Sequence, residues 1–220
     1  MHDTATTMAL HYLVREPKEK TEHPPLLLLL HGYGSNEHDL VDLADELPPQ
    51  FLILSVRAPH VLGVGSYAWF DIDFSSGKPV NNKEQAEESR LALRQFIDGI
   101  ALEFNVDKSR VYMLGFSQGA IMSYSIALTY PPLIRGVAAL SGRILSEIRS
   151  LVEKDKLAPL DIFIGHGTED TVLRIDFARE AKTYMLSLGI VPEYHEYSIG
   201  HSIAQIELTD LLHWFKKIDE

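Results

Sequence analysis

Gly115-Phe116-Ser117-Gln118-Gly119 holds the residue types from which a nucleophile can be built. The apolar run Val111–Leu114 precedes it and Ala120–Leu128 follows, so the pattern reads strand, sharp turn, helix. A serine at such a turn projects its hydroxyl by taking up a strained backbone, and glycines two residues to either side leave room for the close approach this needs. A serine hydroxyl attacks poorly until an imidazole takes its proton, and that imidazole needs a carboxylate to fix its tautomer and stabilise its charged form. Ser117 therefore calls for a histidine and an acid elsewhere in the chain.

Ten histidines compete for the base. His2, His11, His23 and His38 stand in polar, surface-like settings, and His60, His195 and His213 have no motif around them. His31 and His166 occupy turns after apolar runs, where a ring most simply hydrogen-bonds within its own loop. His201 follows the last strand-like segment and a glycine and precedes a helical pattern, which makes it the candidate base. For the acid, Asp170 competes with Glu169, and either could serve as a helix N-cap. Asp170 is favoured because it stands immediately before Thr171, where the next helical pattern begins. Negative charge developing on a substrate carbonyl would need backbone N–H donors: one from Gln118, the residue after the nucleophile, and one from Tyr33 in the His31-Gly32-Tyr33-Gly34 turn.

The elements that must position these residues follow from hydrophobic pattern. Leu10–Arg15, Leu26–Leu30, Phe51–Val56, Val111–Leu114, Gly136–Leu140, Ile162–Ile164 and Glu193–Tyr197 read as strands. Helices are expected over Glu37–Leu47, from Asn81 or Asn82 to Phe104, over Ala120–Leu128 and Thr171–Leu188 with Gly189 as C-cap, and at the C-terminus with Leu208, Leu211, Leu212 and Phe215 inward. Leu93, Phe96, Ile97, Ile100 and Phe104 form the buried stripe of the second helix, and its Glu84, Glu87, Glu88, Arg90 and Arg94 read as a solvated face. Residues 57–80 lack regular periodicity, and 141–158 should hold one short helix. Strands alternating with helices imply right-handed crossovers in a mostly parallel, doubly wound α/β sheet, here over one domain spanning 1–220. Such sheets bind ligands beyond their strand carboxyl ends. His31–Gly34, Gly115–Gly119, His166–Asp170 and Gly200-His201 all fall at that edge.

Composition narrows the class. A net charge of −11 argues against nucleic acid and anionic membrane surfaces as partners. With no cysteine, thiol nucleophiles, disulfides and thiolate metal sites are excluded. The first nine residues lack a basic start followed by an apolar run, so a cytoplasmic location is expected. Leu26–Leu30 is too short to span a membrane.

With GFSQGA, HGYGSNE, HGTED and GHSI in this order, the chain resembles the phospholipase/carboxylesterase family of α/β-hydrolases from about Leu26 to Phe215. That family includes acyl-protein thioesterases and small bacterial esterases. The resemblance implies the α/β-hydrolase fold, with Ser117, Asp170 and His201 as the triad in the chain order of that fold, and with Tyr33 and Gln118 at the oxyanion-hole positions. It assigns Trp69 and Phe70, in Tyr67-Ala68-Trp69-Phe70-Asp71-Ile72, to the acyl pocket, with Val172 beside them in substrate binding; the aromatics could equally be core residues. Protein-depalmitoylating members resemble HGLGD where this chain has HGYGSNE, closer to the bacterial esterase branch. The segment between Leu140 and Ile162 is too short for a large lid.

The expectation is a serine carboxylesterase that hydrolyses small-molecule esters, or thioesters or lysophospholipids, of short to medium acyl chains. It would need no cofactor or metal, and a homodimer is plausible. A catalytically silent member of the same fold that binds a ligand or partner is the rival reading, and a peptidase a third.

Overall fold

The structure, a computed structural model, describes residues 10–19, 21–75, 79–157 and 159–218. Residues 1–9, read above for a leader, lie outside the described residues. Seven strands form the central sheet: β1 (Tyr12–Arg15), β2 (Leu26–Leu30), β3 (Leu52–Val56), β8 (Val111–Phe116), β9 (Gly136–Leu140), β10 (Asp161–Gly167) and β11 (Glu193–Tyr197). Their order is β1-β3-β2-β8-β9-β10-β11. Only β1 runs antiparallel to its neighbour; every other pair is parallel.

The parallel strands are near-continuous apolar runs because both faces are covered. Leu27, Leu29, Ile53, Tyr112, Leu114, Leu140 and Phe163 point to one face, beneath helix α4 (Gln205–Ile218) with Leu208, Leu211, Trp214 and Phe215. Leu28, Leu30, Leu54, Met113, Val137, Ala139 and Ile164 point to the other, beneath α1 (Lys83–Glu103), α2 (Gln118–Thr129) and α3 (Asp176–Ser187). α2 is buried along almost its whole length, and its serines spend their hydroxyls on the preceding turn: Ser123 on the Gly119 carbonyl and Ser125 on the Ile121 carbonyl. The result is the α/β-hydrolase fold, with no large lid among the described residues.

Four local expectations need correction. Glu37–Leu47 is not an α-helix but turns leading to a 3-10 helix at Val41–Asp45. Asp39, Asp42 and Asp45 favour turns, and Pro48-Pro49 ends the segment at once. Helix α3 begins at Asp176 rather than Thr171, because the Asp170 carboxylate holds Val172 and Leu173 in a turn. Arg90 is 6% exposed rather than solvated. It pairs with Glu87, donates to Thr129 Oγ1 at 2.9 Å and lies over the Tyr130 ring. Asn82 caps α1 by accepting from the Gln85 amide at 3.1 Å. Residues 57–80 hold two small hairpins, β4 (His60–Gly63) with β5 (Ser66–Ala68) and β6 (Ile72–Asp73) with β7 (Val80–Asn81). The connection after β9 carries two short 3-10 helices, Ser146–Leu151 and Lys154–Lys156, where one was expected.

Candidate active site

β8 lies at the middle of the sheet, and the chain turns at its end directly into α2. Ser117 sits at that corner with φ 54° and ψ −115°, a conformation costing about 1–3 kcal/mol for a residue with a side chain. Its neighbours explain how the corner is held. The Ser117 amide donates to the Leu140 carbonyl at the end of β9, 2.9 Å away. A Cβ on Gly119 would lie 2.0 Å from the Leu30 carbonyl oxygen, and one on Gly115 would lie 2.4 Å from the Gly119 backbone, so neither position admits a side chain.

The other two candidates arrive from the β10 and β11 ends. Asp170 follows β10, and His201 follows β11. Gly167 makes their approach possible, since a Cβ there would lie 2.3 Å from the Ile199 carbonyl oxygen. His201 Nε2 is 2.8 Å from Ser117 Oγ, and His201 Nδ1 is 2.6 Å from Asp170 Oδ2. The Asp170 side chain is fully buried, and its Oδ1 accepts from the Val172 and Leu173 amides, both at 2.8 Å. These donors hold the carboxylate so that Oδ2 faces the ring, and the ring therefore carries its proton on Nδ1 and offers Nε2 to the serine. Phe116 lies against the outer face of the imidazole, ring centroids 4.9 Å apart. Chemically, this arrangement can draw a proton from Ser117 and hold the resulting imidazolium.

The two histidines read as loop residues do bond within their loops, but His31 also reaches Ala58, just beyond the end of β3, and His166 Nε2 lies 3.4 Å from Asp170 Oδ2. His31 Nδ1 donates to the Gly32 carbonyl at 2.7 Å and Nε2 accepts from the Ala58 amide at 3.0 Å. His166 Nε2 donates to the Leu173 carbonyl at 2.7 Å, and its Nδ1 has no partner. Burial lowers the pKa of both.

Gln118 opens α2, so its amide is among those a helix leaves without an internal partner. Tyr33 is exposed at the other side of the corner, and the adjacent Gly32 comes close enough that a Cβ there would lie 3.4 Å from Ser117 Cβ. Trp69 and Phe70 do not offer their rings to an open cleft: they are 0% and 1% exposed, inside the core. The Gln118 side chain pins their backbone, Oε1 accepting from the Trp69 amide at 2.7 Å and Nε2 donating to the Phe70 carbonyl at 2.6 Å. The Trp69 indole N–H donates to the His31 carbonyl at 3.0 Å. Val172, by contrast, is 65% exposed beside Asp170. A cavity of about 370 Å³ lined by Arg94, Leu128, Tyr130, Leu133 and Lys156 lies at the far end of α2 and touches none of these groups.

Sequence reasoning missed two acidic groups. Glu37 is buried and takes two donors from Arg57, which holds its carboxyl down at about 2. Glu207, in the first turn of α4, is 0% exposed with neither oxygen hydrogen-bonded. Burial pushes its carboxyl up to about 7, Asp210 adds to the rise, and the nearby Ala204 amide, outside hydrogen-bond geometry, offsets only part of it. One of its oxygens fills the notch above Gly165, where a Cβ would come within 2.3 Å of it. HGYGSNE was the signal for Glu37; nothing in the sequence marks Glu207 beyond its place in a first helical turn.

The sequence profile of the phospholipase/carboxylesterase family matches residues 11–219. MhqD of Bacillus subtilis (strain 168) is 31% identical over 199 residues, covering 90% of this chain and 96% of that protein. Acyl-protein thioesterase 1 of Candida albicans is 31% identical over 226 residues, covering 94% and 97%. Among solved structures, the Bacillus cereus carboxylesterase superposes with a TM-score of 0.82 at 26% identity, covering 98% of this chain and 96% of that one. Esterase PE8 superposes with a TM-score of 0.83 at 26% identity, covering 95% and 99%. Among the described residues, no helix is long and apolar enough to cross a membrane. A corner serine backed by a histidine and a buried carboxylate, on this sheet and with these relatives, leads to one conclusion: the chain is a hydrolase and belongs to the phospholipase/carboxylesterase family.

Proposed function

We propose that the protein is a serine carboxylesterase acting on small esters, with thioesters open to the same chemistry. The observation that carries this reading is the chain of hydrogen bonds from Ser117 Oγ through His201 to Asp170, 2.8 and 2.6 Å long. His201 Nε2 takes the Ser117 proton as Oγ bonds to the acyl carbon. The Gln118 and Tyr33 amides receive the oxyanion, with donors fixed before the reaction begins. As the tetrahedral adduct collapses, the bond to the leaving alcohol breaks and His201 returns the proton to it, leaving an acyl-Ser117. Water then loses a proton to His201 and attacks the acyl carbon. The acid departs and Ser117 is reprotonated.

Acyl chains are short to medium in this proposal. Trp69 and Phe70 are committed to the core, so the acyl group rests on the accessible surface offered by Tyr33, Phe116 and Val172. The test is covalent labelling by a fluorophosphonate together with turnover of p-nitrophenyl esters of graded chain length. Wild type is labelled at Ser117, and Ser117→Ala loses label and at least about 10³-fold in kcat. Full activity in Ser117→Ala would remove the proposal.

A further inference from the structure

We propose that the Glu37–Arg57 ion pair is a positioning device for the loop that carries the Tyr33 amide, fixing its backbone against the end of β3 so that the donor stays aimed at the acyl oxygen. This rests on the reading of Tyr33 and Gln118 as oxyanion donors.

The loop from His31 to Glu37 leaves β2 and passes through Gly34 at φ +80°, a turn open to glycine without steric cost, so its shape is fixed by the contacts it makes rather than by the chain itself. Most of its restraints are single neutral hydrogen bonds. The Ala58 amide donates to His31 Nε2, the Gly34 amide to the Tyr67 carbonyl at 2.9 Å, the Tyr67 amide to the Ser35 carbonyl at 2.9 Å, and Asn36 Nδ2 to the Gly65 carbonyl at 2.8 Å. Glu37 ends the loop differently. Its side chain is 5% exposed, and it accepts two guanidinium N–H groups in parallel, from Arg57 Nε at 2.6 Å and from Nη2. A solubilising glutamate would face water; a buried carboxylate needs the pairing found here. Arg57 is itself anchored, its amide donating to the His11 carbonyl at 2.8 Å and its guanidinium lying 4.6 Å from the Tyr67 ring centroid. The fork thus joins three segments: the loop, the end of β3 and the β4–β5 hairpin. The other titratable side chain beside the carboxylate is the exposed His38, whose Nε2 lies 3.6 Å away. Exposed ion pairs contribute little, but a bidentate pair with one partner buried gives a fixed geometry that a lysine cannot reproduce.

Glu37→Gln and Arg57→Lys, each assayed well below its own melting temperature, test this on p-nitrophenyl butyrate. We expect kcat to fall about 10- to 100-fold, short of outright loss of a donor, with KM within about twofold. Affinity for a trifluoromethyl ketone, whose adduct with Ser117 carries an oxyanion, should fall by the same factor as kcat/KM. The combined variant Glu37→Gln/Arg57→Lys should be no worse than the weaker single variant, since the same bidentate interaction is lost in each. Wild-type kcat in both single variants, or lowered activity with unchanged ketone affinity, overturns the positioning role. If instead Ser117→Ala retains activity, the parent reading fails first, so the two failures are distinguishable.

Discussion

Replacing Glu207 by glutamine isolates the effect of a buried carboxyl on stability as a function of pH. Glu207 is wholly buried, and its carboxyl rises from 4.5 to about 7 on folding, chiefly through burial. Between those values the folded chain binds more protons than the unfolded one, so stability falls as pH rises through this window. Below pH 4.5 the group is neutral in both states and costs no charge burial; above pH 7 the full penalty applies. A rise of about 2.5 units at 1.36 kcal/mol each corresponds to about 3 kcal/mol. Glutamine keeps the shape above Gly165 but cannot ionise. Wild type and Glu207→Gln should therefore be close in stability at pH 4.5–5, with the variant ahead by up to about 3 kcal/mol at pH 8. For a chain of this size that is roughly 6–12 °C in melting temperature. Buried His31 and His166, whose pKa values move down, weaken the fold as pH drops below 6.5, but they do so equally in both proteins and cancel in the difference. Guanidinium unfolding of both proteins from pH 5 to 8 reads that difference directly. A gap that stays constant across the range would refute the rise of the Glu207 carboxyl on folding.

Two further substitutions probe the corner and the proton path. Gly119→Ala places a methyl group on the Leu30 carbonyl of a central strand that has nowhere to move, and should cost at least about 3 kcal/mol, read as loss of soluble protein or a lowered melting temperature. Asp170→Asn turns an amide NH₂ either toward the Val172 and Leu173 amides or toward His201. The second arrangement protonates the wrong ring nitrogen, and kcat should fall by about 10⁴-fold while the fold, judged by circular dichroism, persists. Activity within tenfold of wild type would show that Asp170 does not set the tautomer.

The parallel strands and the corner at Ser117 were legible because they are written in strong local terms: five consecutive leucines in β2, and glycines where backbones touch. The Asn81-Asn82 pair announced α1 by its capping chemistry, and Asn82 is the one that caps it. The 3-10 segment at Val41–Asp45 was not legible, since Leu40, Leu43, Ala44 and Leu47 fit an α-helical spacing as well as the turns that form. The late start of α3 was hidden for a related reason: only the fold shows that Asp170 is already engaged by His201 on one oxygen and by two amides on the other. Arg90 could have been found, because it stands four residues after Ala86 and three before Leu93, on the apolar stripe itself. The resemblance of Tyr67–Ile72 put Trp69 and Phe70 in the acyl pocket or equally in the core, and the core is where they lie, because side-chain type does not tell whether a ring lines a cleft or fills the space behind one.

The way Trp69 is held bears on how the two proposed oxyanion donors keep their separation. Its indole is fastened to the strand exit before Tyr33, and its amide to the side chain of Gln118, the residue proposed to supply the opposite donor. The segment thus works as a spacer bar between two loops that come from different parts of the chain. On the proposed reading, the gap between the two amides keeps its width whatever substrate lies in front of it, because Trp69, which sets that width, is buried.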